Sequence, residues 1–312
     1  MFVVINLGGL GNQLFQYAFA KQLQKHTSRK VILCSTVTFK KDSEGTIDIL
    51  PELNTSIESA KGAQQFSINM AFRINKFFHR KLKSSRQSFK NTTVKYEDEL
   101  PPPYDAKFFE ELGNCQIPGT IFLAGYWQDS VIPNMNKKEL LREFQYDGGI
   151  TDDINKYDSL ISSDKQPVAI HSRQTYRGYG ELKSQYYERA IEVIMDKVDN
   201  PIFYVFADHN KKASDILQKI IPQDKYLLFP HYQEARKAYQ TILLMSKCKH
   251  FVMSRSTFCW WAAWMSWART LENVMDNTLE NNAGDNNCYI MPDTNYSELF
   301  SFSDDCRRIS CE

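Results

Sequence analysis

Long apolar runs are missing from the 312-residue chain, and nothing in it reaches the roughly 20 residues needed to cross a bilayer as a helix. The Trp-rich stretch around residue 260 comes closest, but Arg255 and Arg269 bracket it too tightly. The apolar run at residues 2–7 is too short for a secretory core and has no basic stretch before it. Cysteine is present seven times, an odd number, with no Cys-x-x-Cys. That argues against a disulfide framework or a zinc knot and leads us to expect a reducing, cytoplasmic setting. Net charge is also nearly absent: 38 Lys and Arg oppose 37 Asp and Glu, for a formal +1. No global field therefore favours nucleic acid, and any basic surface must be local. An apolar content of 42% with 24% charged residues is ordinary for a soluble globular protein, and the length favours two domains.

One absence is regional. Residues 59–96 contain no Asp or Glu, yet carry Lys61, Arg73, Lys76, Arg80, Lys81, Lys83, Arg86, Lys90 and Lys95. Ile68, Phe72, Phe78 and Leu82 fall roughly on helical spacing. Two readings stand: a helix lying peripherally on an anionic membrane, or a helical pair with a solvated basic face.

What is present is an alternation. Short β-rich runs at 2–6, 31–35, 120–128, 167–173, 201–208, 225–230 and 250–256 alternate with helix-like segments at 12–26, 185–198, 212–220, 233–246 and 258–269. Alternation of this kind predicts an α/β fold of parallel sheets. The Gly-containing stretch at 146–153 reads as a linker, which divides the chain into domains 1–150 and 151–312, with the basic helical insert at about 59–96 in the first.

The chain opens with MFVVINLGGLGNQLFQYAFAKQLQ, an apolar strand entering a glycine turn that opens a helix. Such a turn can hold an anion through its amide groups and the helix dipole. The dinucleotide fingerprint fits poorly, because the third glycine of G-x-G-x-x-G is missing. The strand ending at Cys34-Ser35 also offers no acid for a ribose.

The stretch GGLGNQLFQYAFAKQLQ resembles the N-terminal motif of the bacterial α-1,2-fucosyltransferases, glycosyltransferase family 11. GYWQDSVI (125–132), VAIHSR (168–173), AYQTILLMSKCKHFVMSRSTFCWWAAWM (238–265) and YIMPDTNY (289–296) resemble further segments of that family in the same order. The resemblance implies a GT-B-type architecture, two Rossmann-like domains facing across a cleft, with the second binding the nucleotide-sugar donor. It implies inverting transfer of L-fucose from GDP-β-L-fucose to the 2-hydroxyl of a terminal sugar, often galactose, without a metal or other cofactor. The sequence has no Asp-x-Asp, the usual metal–diphosphate motif of the other glycosyltransferase fold. The expected partners are a GDP-sugar and an oligosaccharide acceptor, lipid-linked at the inner membrane face in one version.

Without a metal, side chains must neutralise the charge that develops on the leaving diphosphate. Arg173 fits this role, because it follows a predicted parallel strand and its planar fork suits phosphate. His171, two residues earlier, belongs to the donor site by the resemblance; the alternative is a structural histidine. Ser256 and Thr257 precede a helix and are expected to offer hydroxyls and amides to phosphate, or simply to cap the helix. Gly9, Gly11 and Asn12 are expected to close over the diphosphate or fucose, with Asn12 able to donate and accept. Asp208, at another strand end, is expected near ribose or guanine. Tyr126 and Gln128 are expected on the acceptor side. Trp260, Trp261 and Trp264 read as helix packing rather than sugar platforms. For a general base, Glu181 and Asp129 are available, and neither is assigned.

The chain departs from the family pattern in three places. Where the family continues H-x-R as R-G-D-Y, this chain reads Gln174-Thr175-Tyr176-Arg177-Gly178-Tyr179. Arg255 replaces the Asn before Ser-Thr, and Thr241 replaces an acidic residue. These changes leave open the same fold with another GDP-sugar or linkage, or a non-catalytic sugar-nucleotide binder. An oxidoreductase is a remote third reading.

Overall fold

Five consecutive buried residues, Phe2–Asn6, form strand β1. A strand that reads as an unbroken apolar run, rather than an alternating one, is covered on both faces, as in parallel sheets. The computed structural model describes residues 1–35, 50, 53–82, 92–100, 102–146, 151–174, 181–232, 235–275, 287–294 and 297–311. The chain divides into two units, Met1–Asp147 and Gly148–Glu312.

In the first unit β1 is followed by α1 (Leu10–Lys25), β2 (Val31–Ser35), α2 (Gly62–Leu82), β3 (Thr92–Tyr96), α3 (Ala106–Gly113), β4 (Thr120–Ala124), α4 (Val131–Asn134) and α5 (Lys137–Glu143). The sheet order is β2-β1-β4-β3, and every pairing is parallel. Val3 and Ile5 join Ile32, Phe122, Ile68 and Phe72 in one cluster, so α2 covers that face. Phe72 and Phe122 meet with ring centroids 5.9 Å apart. Helix α1 lies against β1 and β2 and also packs on α3 and α4.

Helix α1 is buried almost all round, and this includes Gln13, Gln16, Lys21 and Gln22. Buried polar groups must be paired, or each costs a desolvation penalty. Lys21 accordingly meets Glu143 Oε1 at 2.6 Å and donates to Ser56 Oγ at 2.6 Å. Tyr17 donates its hydroxyl to the other Glu143 oxygen and accepts from Ser56 N–H at 3.0 Å. Gln22 accepts from Asn136 Nδ2 at 2.9 Å. This network ties α1 to α5 in the interior.

The second unit comprises α6 (Asp152–Ser163), β5 (Pro167–Ser172), α7 (Ser184–Lys197), β6 (Ile202–Ala207), α8 (Asn210–Leu217), β7 (Tyr226–Phe229), α9 (Ala235–Met245), β8 (His250–Val252), α10 (Thr257–Met275), β9 (Tyr289–Pro292), α11 (Ser297–Phe300) and β10 (Cys306–Ile309). Its sheet order is β10-β9-β8-β5-β6-β7, again wholly parallel. Counted from the unit's first strand, this is the doubly wound order of nucleotide-binding sheets. Helices α7 and α8 share one core cluster with Val168, Ile170, Phe203 and Val205. Helix α9 packs on α6 and α10. Both units are thus Rossmann-like α/β layers.

Local differences from the sequence reading have identifiable causes. The strand expected over 120–128 stops at Ala124, and Trp127 then adopts φ 54°. The strand expected over 250–256 stops at Val252, where the chain bends toward α10. The segment expected to be helical over 59–96 is helical in α2, but its end is β3, an edge strand of the sheet. Residues 147–150 of the expected linker lie outside the described residues, and its last residues begin α6. Trp260, Trp261 and Trp264 are buried and pack on one another, and Trp260 Nε1 donates to Phe300 O at 2.7 Å, so they are core.

Glu143→Ala strips two buried partners, Lys21 and Tyr17, of their acceptor. We expect a loss of about 3–5 kcal/mol in urea denaturation. The double change Lys21→Met with Glu143→Leu removes the charges together and should cost clearly less.

Candidate active site

In a doubly wound sheet, ligands bind beyond the carboxyl ends of the strands where the strand order reverses. In the second unit that point lies between β5 and β8. The two loops there are joined by side chains. His171 Nδ1 pairs with Ser254 Oγ at 2.6 Å, and Arg173 Nη1 donates to Ser256 Oγ at 3.1 Å. Ser256 immediately precedes α10 and also accepts from Phe258 N–H at 3.3 Å, as a helix-capping hydroxyl does. Arg173 and the start of a 19-residue helix therefore lie together at the switch point.

His171 is only 8% exposed and stacks on Phe258 at 5.6 Å. Burial, reinforced by the Arg173 charge, pulls its pKa from 6.5 to about 3. It is neutral at physiological pH and fixes Ser254 beneath the loop. Asp208 Oδ1 accepts from Gln174 N–H at 2.7 Å, so one of its oxygens shapes the chain just after Arg173. Lys212 Nζ donates to Gln174 O at 3.1 Å. Thr257 is the first residue of α10.

In the first unit the corresponding loops follow the adjacent central strands β1 and β4. Gln16, fully buried, bridges the two loops. Its carbonyl accepts from Leu7 N–H at 2.9 Å, while its amide donates to Leu7 O at 3.1 Å and Gly125 O at 3.0 Å. Gln13 donates to Gly8 O at 3.2 Å. Gln128 Nε2 donates to Asn12 Oδ1 at 2.7 Å. Tyr126 is 44% exposed and lies over Gly8, where an added Cβ would stand 3.1 Å from its ring. Gly8 has φ +81°, and that Cβ would also fall 2.6 Å from Asn12 Nδ2. The turn thus depends on Gly8. Gly9 is exposed in an ordinary extended conformation, with open space where its Cβ would be. Gly11 is buried inside α1.

The loop after β4 is held by Glu97. Its two carboxylate oxygens accept from Tyr126 N–H at 2.8 Å and Trp127 N–H at 2.9 Å. A Cβ on Gly125 would strike Glu97 at 2.6 Å, so glycine is needed for this approach. Trp127 is buried against Phe19, with centroids 4.1 Å apart.

The expected site residues thus fall into two groups. Arg173, His171, Asp208, Ser256 and Thr257 gather at the switch point of the second unit. Gly9, Gly11, Asn12, Tyr126 and Gln128 gather where the chain leaves β1 and β4 in the first. Of the two available bases, Glu181 is exposed and Asp129 is buried. Burial raises the Asp129 pKa, and its Oδ1 accepts from Val131 N–H at 2.8 Å. Arg255 is exposed beside Ser256, and Thr241 bonds within its own helix to Lys237 O at 2.7 Å. Of the altered stretch at 174–179, residues 175–179 lie outside the described residues. Sequence reasoning missed Gly8, Gln16, Ser254 and Glu97. Gln16 was signalled by its polarity inside an apolar helix, and Gly8 by its place at the strand end. Glu97 carried no signal, since its partners are 29 and 30 residues away.

The profile of glycosyl transferase family 11 matches residues 1–289, and the chain belongs to that family. The O-antigen biosynthesis glycosyltransferase WbnK of Escherichia coli is 27% identical over 278 residues, covering 83% of this chain and 88% of that protein. An alpha-1,2-colitosyltransferase of Escherichia coli is 25% identical over 268 residues, covering 83% and 85%. Among solved structures, fucosyltransferase NodZ from Bradyrhizobium superposes with a TM-score of 0.48 at 12% identity, covering 84% of this chain and 92% of that one.

Two outcomes test this geometry. Glu97→Ala should speed hydrogen exchange at the Tyr126 and Trp127 amides and cost about 1–3 kcal/mol for the unmet donors; Glu97→Gln should lose less. Because the folded His171 pKa lies below the unfolded value, the unfolded chain binds more protons between pH 6.5 and about 3. Stability should therefore fall as pH drops through that window, and His171→Gln should flatten this part of a Tm-against-pH curve.

Proposed function

We propose that this glycosyltransferase moves L-fucose, with inversion, from GDP-β-L-fucose to the 2-hydroxyl of a terminal sugar, galactose in the simplest case. The product would be a bacterial surface glycan of the O-antigen type. The observation that carries the reading is the Arg173–Ser256 pair at the reversal of a doubly wound sheet, in a chain of family 11. The relative named for O-antigen biosynthesis supports the product class, and the relative named as an alpha-1,2-transferase supports the linkage.

In this reading the Arg173 guanidinium takes two oxygens of the leaving diphosphate. Ser256, Thr257 and the first amides of α10 add donors and the positive end of the helix dipole. A neutral His171 holds the Ser254 loop without adding a second charge beside Arg173. Asp208 orders the chain after Arg173 and, in this reading, lies near the ribose or guanine. In the first unit the open space at Gly9 permits a close backbone approach by phosphate or sugar. Asn12, oriented by Gln128, faces fucose hydroxyls. Tyr126 offers an exposed ring to the acceptor sugar. No cofactor takes part, since side-chain and backbone donors carry the leaving-group charge, and the general base stays unassigned. The acceptor is lipid-linked, which places the enzyme peripherally at the inner membrane face.

A second reading keeps the fold and chemistry but changes the donor sugar, and the colitosyltransferase relative is the observation that favours it.

Arg173→Ala should lower kcat by at least a hundredfold, about 3 kcal/mol in the barrier, while the protein remains folded. Near-normal turnover would refute the leaving-group role. A thermal-shift panel of GDP-fucose, GDP-mannose, UDP-sugars and NAD should show stabilisation by the true donor. Stabilisation by GDP-fucose without transfer or hydrolysis would identify a non-catalytic binder.

A further inference from the structure

Helix α2 carries two apolar stripes rather than one. The inward stripe, Ile68 and Phe72, lies in the core against Phe122, with Asn69 and Asn75 buried beside it. These are two of the residues whose spacing first suggested a membrane face, and packing against the sheet removes them from that role. The outward stripe is Phe66, Met70 and Ile74, which are 55%, 47% and 37% exposed. Their four-residue spacing places them one above another along a single line of the helix. Three of the chain's described exposed large apolar side chains thus stand together on one element, while Tyr126, Val131, Leu160 and Met195 are scattered over others.

We propose that this outward face of α2 seats the protein on an anionic bilayer, with Phe66, Met70 and Ile74 entering the boundary between headgroups and acyl chains. The inference deepens the membrane setting proposed above and rests on it only for its purpose. The charge pattern selects the occupant. Lys61, just before the helix, and Arg73 within it are exposed. The sequence adds Lys76, Arg80 and Lys81 in the same helix, with no acidic residue anywhere in 59–96. A second copy would bring like charges together. An anionic lipid surface meets both demands at once. Each cation near such a surface contributes about 1 kcal/mol, and three short apolar insertions add burial without spanning. None of the described helices is long and apolar enough to cross a membrane, consistent with a helix lying in the interface plane.

The test is flotation of the purified full-length chain with phosphatidylcholine vesicles, with and without about one-third phosphatidylglycerol. The wild type should float with the anionic vesicles only and be released by high salt. The triple variant Phe66→Ser, Met70→Ser, Ile74→Ser changes only exposed side chains. It should keep the wild-type Tm and the wild-type rate on a soluble acceptor, while its partition falls roughly tenfold or more. Unchanged flotation of the triple variant, absence of flotation by the wild type, or dimerisation lost on the triple change would each overturn the proposal. Loss of sugar transfer is a separate outcome: a chain that floats but transfers nothing refutes the enzymatic reading and leaves this surface standing.

Discussion

Where a doubly wound parallel sheet reverses its strand order, as between β5 and β8 of the second unit, the two connections leave to opposite faces and open a crevice at the strand ends. Backbone groups there have no ladder to satisfy them, yet they border the interior. Both units have side chains that reach from one strand-end loop to its neighbour, although in the first unit the helices that follow β1 and β4 pack on each other. In the first unit a single buried amide, Gln16, bonds Leu7 on one loop and Gly125 on the other. In the second, His171 reaches Ser254 and Arg173 reaches Ser256. The same bridges that satisfy the strand ends position the residues that face outward from them, so the packing of the sheet and the geometry of the candidate site are one problem.

The electrostatics of the second bridge favour an anion. Burial keeps His171 uncharged, so the adjacent positive charge is that of Arg173. The guanidinium, a capping serine and the start of α10 then lie side by side at the crevice. The proposed function seats phosphate on that arrangement, and membership of glycosyl transferase family 11 supplies the class of reaction. The first unit contributes a different character: an exposed tyrosine over a glycine turn and a paired Asn12–Gln128. Hydroxyl-bearing ligands suit groups that both donate and accept.

Two helices show why burial must be read in three dimensions. Helix α1 carries glutamines and a lysine that would ordinarily mark a solvent face, yet it lies among β1, β2, α3 and α4. Its polar groups became structural because each found a partner, Lys21 with Glu143 being the most demanding case. Helix α2 shows the reverse. Its sequence offers more apolar surface than one sheet face can cover, and the remainder stays exposed beside a cationic run.

The sequence by itself determined the α/β alternation and the family. These depend on local periodicity and on motifs contiguous in the chain, such as the glycine turn and the His171–Arg173 strand end. Tertiary structure alone decided which of those residues touch. Glu97 reaches Tyr126 and Trp127, Gln16 spans 109 residues to Gly125, and Ser254 meets His171 across 83. It also decided that Gly8 is the glycine the turn requires, through a positive φ that the spelling GGLG leaves open among three positions. Such contacts are invisible in one dimension because hydrogen bonds are set by distance in space, and strand order, not chain order, governs which loops become neighbours.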